Sequence, residues 1–115
     1  MPAQYIQPDT TDHQYRTDAA VTRQRYRYAA QVAGTGDWIL LPPGLGDVIV
    51  SVDPGPGTAR VEYTLASVAD VESGMATARN WQEGDVSGYT DSILKCAFTA
   101  VRCVSTDAAE FVVTI

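Results

Sequence analysis

The sequence predicts an all-β domain, a sandwich or a small barrel, on three observations. The first is composition: 13 Val and 12 Thr stand against one Lys and four Glu, a balance that suits pleated, half-buried surfaces better than stable helices. The second is the supply of turn formers, ten Asp, nine Gly and six Pro in 115 residues, most of them between apolar stretches. The third is rhythm. About seven short segments of alternating character follow one another at roughly 8–15-residue spacing, the pattern of a sandwich or barrel and not of βαβ units. The 15 Ala are the one dissent, and many of them fall inside the alternating segments.

The elements follow in order. Residues 1–18 hold two prolines and almost no aliphatic side chains, too little apolar area to offset the entropy of being fixed. They are expected to form an extended N-terminal arm, mobile in the free chain and ordered against a partner, with Tyr5, Ile6 and Tyr15 as its anchors. The domain proper is expected to span 19–115 and to fold without the arm. From Thr22 a period of two begins, with Tyr26, Tyr28, Ala30 and Val32 on one face and Arg23, Arg25 and Arg27 on the other. Ala33–Asp37 breaks this strand. Trp38–Leu41 is a short apolar run that Pro42-Pro43-Gly44 stops.

Asp47–Asp53 alternates, with Val48, Val50 and Val52 on the inner side. Pro54-Gly55-Pro56-Gly57 then forces a turn, because proline fixes φ and glycine accepts positive φ. Ala59–Ala66 alternates again, with Val61, Tyr63 and Leu65 read as inward and Arg60, Glu62 and Thr64 as outward. Two alternating runs around such a turn predict an antiparallel hairpin. Val68–Gly74 predicts one helical turn ending at Gly74, Met75–Trp81 a weak strand, and Gln82–Ser92 a loop. Ile93–Val104 is a long apolar run whose phase slips, which predicts a bulge or bend near Thr99-Ala100. Ser105–Ala108 is read as a turn before a closing strand at Glu110–Ile115.

The length fits one domain, commonly about 100–150 residues, and 45% hydrophobic residues are ample for a core. No apolar run approaches the roughly 18 residues of a membrane span, and the start lacks a charged-then-apolar leader pattern. A net charge of −6 and a pI near 4.4 argue against direct nucleic-acid binding.

Catalysis finds little support. His13 is the lone histidine and falls in the expected arm, where nothing packs it within reach of a substrate proton. The aspartates sit mostly at turns, which they cap and shape. No spacing matches a calcium loop, a phosphate-binding glycine loop or a zinc site, so no metal or cofactor is expected. Cys96 and Cys103, if on one extended strand, lie roughly 23 Å apart, too far to bridge. Trp38 and Trp81, with the six tyrosines, read as core or interface residues; the alternative is a carbohydrate platform, which requires Trp38, Trp81 or Tyr89 to lie exposed beside acidic turn residues.

Charge is uneven. Arg16, Arg23, Arg25 and Arg27 share a twelve-residue stretch with a single acid, Asp18, so the remainder of the chain is strongly acidic. Such a stripe either keeps an edge strand soluble or docks on the acidic surface of a neighbouring subunit.

The segments Ala59–Ala66 (ARVEYTLA), Asp70–Trp81 (DVESGMATARNW), Gly84–Ser87 (GDVS), Phe98–Arg102 (FTAVR) and the closing FVVTI resemble, in that order, small β-rich virion proteins of tailed bacteriophages. The resemblance spans roughly residues 45–115. It implies an antiparallel, jelly-roll-like β-sandwich with an arm that grips neighbours. The implied function is that of a non-enzymatic capsid decoration (cement) protein, bound to the major capsid protein and to copies of itself in a virion assembled in the host cytoplasm. A receptor- or glycan-binding module, or a head–tail or fibre component, is the alternative. The family supplies no catalytic motif. The candidate partner-binding residues therefore come from the chain's own pattern: Tyr5, Ile6, Tyr15, Arg16, Arg23, Arg25 and Arg27.

Overall fold

The computed structural model describes residues 3–8, 26–42, 47–94 and 98–115. In chain order its elements are β1 (Ala3–Tyr5), β2 (Gln7–Pro8), β3 (Tyr26–Thr35), β4 (Trp38–Leu40), β5 (Val48–Asp53), β6 (Ala59–Thr64), α1 (Val68–Ser73), β7 (Arg79–Asn80), β8 (Thr90–Leu94) and β9 (Ala100–Thr114). The described residues are all-β apart from one short helix. Ser67 caps α1 by accepting the Asp70 N–H at 3.2 Å, and Gly74 closes it at φ 82, a left-handed position that glycine fills without strain. This is the helical turn the sequence predicts.

Everything else is organised by β9, which pairs on both edges. Along one edge β3 and β4 lie end to end, and along the other β5 and β6 do the same, all four antiparallel to β9. β7 extends the sheet from β6 and β8 from β5. The expected hairpin is therefore wrong. β5 and β6 run in the same direction along one strand, and Pro54–Gly57 turns a corner between them instead of reversing the chain. The Gly57 N–H donates to Pro54 O, so a tight turn is present. The exit, however, is held to β9: Thr58 N–H donates to Thr106 Oγ1 and Thr106 N–H to Thr58 O, each at 2.9 Å.

The same corner crosses all three strands. β3 shifts register between Val32 and Gly34, where Gly34 adopts φ 77, so it continues to Thr35 past the break expected at Ala33. In β9, Thr106, Asp107 and Ala108 are all exposed yet remain strand, so the expected turn at Ser105–Ala108 is a bend within β9. Ser105 stays extended because its hydroxyl donates to Val32 O across the strand pair. A straight strand of this length would run about 50 Å, more than the 44 Å longest dimension of the molecule.

Bending brings the two ends of β9 into separate layers. One layer is β1-β4-β9-β6-β7, built on Ala100–Ser105. The other is β2-β3-β9-β5-β8, built on Ala109–Thr114. The result is a jelly-roll-like β-sandwich. Inner side chains of both layers, among them Ile39, Val61, Val101, Val50, Val52 and Phe111, form one core cluster.

Residues 3–8 join the layers. β1 pairs parallel with β4, the one parallel pairing among the described strands, and β2 pairs antiparallel with β3. Between them the Ile6 N–H donates to Leu40 O at 2.9 Å, and its side chain is 4% exposed within the core. This part of the expected mobile arm is thus sheet, because backbone pairing on two open edges and one buried isoleucine supply what its composition lacks. Residues 9–18, and residues 22–25 of the strand expected from Thr22, lie outside the described residues.

Two further expectations change. The apolar run Ile93–Val104 divides into β8 and β9 around a bend at Thr99, at the predicted phase slip; Cys96 lies outside the described residues, and Cys103 is a buried free thiol. Glu62 and Thr64 in β6 are buried, and Leu65, just past the strand, is exposed, the reverse of the sequence reading. The cause is a second cover. α1 and the segment after it lie on the outer face of the first layer, where Val71, Ala76 and Ala78 pack against Trp38, Leu40 and Ala100.

Candidate functional site: the two outer faces

The sandwich presents two outer faces of different character. On the first layer, β6 and β9 place Glu62 directly opposite Arg102. Glu62, 5% exposed, binds the Arg60 guanidinium through one carboxylate oxygen and Arg102 through the other, both at 2.8 Å. Arg102 in turn lies 4.3 Å from the centre of the Trp38 ring, and Arg60 reaches Asp85 at 3.4 Å. Hydrogen bonding to Glu62 holds the Arg60 guanidinium above its ordinary pKa. A buried carboxylate with an arginine on each oxygen, one from β6 and one from β9, serves to fix the register of β6 on β9. Around this covered face stand exposed apolar side chains. Leu65 and Met75 flank α1 and Val68 is its first residue. Tyr5 shares the face of Ala3, which packs against the Trp38 cluster.

The outer face of the second layer carries no other described element. Strand register arranges it as three rows running across the strands. Arg27, Thr114, Ile49 and Ile93 form one row, and Ala29, Val112, Ser51 and Asp91 the next. The third row holds Gln31, Glu110 and Asp53, with Tyr89 just before β8. The middle row is short across β3, β9 and β5, and the rows beside it are long. A groove follows from that difference. One part of it, about 270 Å³, is lined by Arg27, Ser51, Asp53, Tyr89, Glu110 and Val112, and the groove continues over Ala29 and Gln31.

The sequence-based site residues scatter. Tyr5 and Arg27 are exposed, on the first and second outer faces respectively. Ile6 is not available as a partner anchor, because the chain's own core holds it. Tyr15, Arg16, Arg23 and Arg25 lie outside the described residues. Trp38 and Trp81 are 1% and 3% exposed, so neither forms a carbohydrate platform. Tyr89, at 66% exposed, is the aromatic that stands open beside acidic groups. The groove residues Ser51, Asp53 and Glu110 escaped sequence reading, since outward positions of alternating strands look alike until register sets them side by side. Among the described residues no three His, Cys, Asp or Glu side chains are placed to hold a metal ion, and no helix is long and apolar enough to cross a membrane.

No family model matches the chain, and no curated protein sequence matches it. An oxalate oxidase of known structure aligns with it at a TM-score of 0.41 and 15% identity, over 79% of this chain. This chain spans only 40% of that protein's length. A likeness of that degree carries no argument about chemistry.

Proposed function

We propose that this chain is a non-enzymatic virion structural protein, a capsid decoration protein that binds the assembled shell of a tailed bacteriophage and copies of itself. The observation that carries the reading is the placement of large apolar side chains on opposite outer faces. Tyr5, Leu65, Val68 and Met75 belong to the first, and Ile49 and Ile93, paired across β5 and β8, to the second. Scattered surface apolars are ordinary, but grouped ones mark contact surfaces. A protein that reinforces a shell must touch neighbours on more than one side, and two such faces on a bent, rigid sandwich meet that need. Repetition over a lattice then turns weak single contacts into strong retention. The sequence resemblance over residues 45–115 names the kind of assembly.

Electron microscopy of purified virions tests this. Stoichiometric density for the sandwich outside the capsid floor is expected, and its absence overturns the reading. The double substitution Leu65→Asp, Met75→Asp should leave circular dichroism unchanged, since both positions are exposed, and abolish co-sedimentation with particles. Undiminished co-sedimentation removes the first outer face from the contact.

A further inference from the structure

We propose that the groove on the outer face of the second layer binds a neutral oligosaccharide. The floor of small side chains, Ala29, Ser51 and Val112, admits a slender chain laid across the strands. Along one wall Asp53 and Glu110 supply carboxylate acceptors for sugar hydroxyls. Arg27 on the other wall supplies donors, and the open ring of Tyr89 offers a flat surface to the apolar face of a pyranose.

The other occupants fit less well. A peptide strand needs free backbone donors and acceptors, whereas under this groove the N–H and C=O groups of β3, β9 and β5 are engaged in their own ladders. Anionic ligands, including nucleic acid, phosphate and acidic sugars, would meet the carboxylates of Asp53 and Glu110 in the groove and Asp91 in the adjoining register position, against Arg27, the one cation on this face among the described residues. An uncharged, polyhydroxylated chain with one apolar face satisfies the walls, the floor and the aromatic together.

The test is nuclear magnetic resonance titration of the full, isotope-labelled chain with neutral trisaccharides built on glucose, N-acetylglucosamine, mannose and galactose. A trisaccharide at millimolar concentration is expected to shift the amides of Ala29, Ser51, Tyr89 and Val112. Tyr89→Ala should weaken that sugar by about tenfold or more, equivalent to about 1.4 kcal/mol. Tyr5→Ala, at an exposed tyrosine on the opposite face, should leave it unchanged. The inference is overturned if no trisaccharide moves the groove amides or if the shifts lie elsewhere. Equal binding by Tyr89→Ala, or tighter binding of a carboxylated counterpart, overturns it as well. The Leu65→Asp, Met75→Asp variant separates the two readings, because it should lose particles and keep the sugar.

Discussion

Glu62 and Cys103 face each other's neighbours across β6 and β9, and the sheet between them separates two kinds of burial. On the outer side Glu62 is enclosed by two arginines, one on each carboxylate oxygen. On the inner side Cys103 is fully buried among apolar side chains, and burial pushes its thiol from the ordinary 9.0 up to about 11. An unfolded chain releases this proton near pH 9, while the folded chain holds it to about pH 11. Ionisation therefore favours the unfolded state across that window. Stability is predicted to fall from about pH 9 to about pH 11, by about 2–3 kcal/mol from this group. Urea midpoints measured against pH check it, and Cys103→Ala should flatten the decline. Sequence reading could not have found Glu62 buried. Its alternation with Val61 and Tyr63 says only that it lies on the other face, and a helix eight or so residues later, folding back over that face, decides what the other face meets.

At the level of elements, local chemistry proved a good guide to where the chain bends and a poor guide to where it goes. Pro54-Gly55-Pro56-Gly57 does form a tight turn, yet the partner of both flanking strands is β9, far along the chain. A Cβ at Gly57 would overlap Thr106 Oγ1 and crowd Asp107. Gly57→Ala is predicted to cost about 1–3 kcal/mol, and less in a Thr106→Ala background, where the main overlap is gone. A double-mutant cycle by urea denaturation reads this coupling directly. Residues 3–8 teach the same lesson from the other side. Three-residue strands leave no periodic signal, and a lone isoleucine among polar residues resembles an unstructured terminus. Ile6→Ala is predicted to destabilise the fold by about 2–4 kcal/mol, the cost of a cavity at a buried aliphatic site. A change below about 0.5 kcal/mol in the urea midpoint experiment would show that the segment is dispensable.

For the whole molecule, the all-β class, the alternation of β3 and β5 and the helix capped at Gly74 were legible in composition and period. The layering was not. Which outer face is covered by α1 and which is left as a groove depends on register between strands that the sequence does not pair. β9 is the origin of that layering, and its position in the chain has a kinetic consequence. β3, β4, β5 and β6 are all made before β9, so until Ala100–Thr114 has been added each has only a short outer neighbour to pair with, β2, β1, β8 and β7 respectively. A chain halted before Ala100 is predicted to be protease-sensitive, with no cooperative thermal transition, and addition of the residues through Thr114 should restore both in one step. Loop closure of this range makes folding slow. Until β9 is made, the edges of β3, β4, β5 and β6 that it covers stay open, and that is the interval in which the chain is most exposed to misassembly.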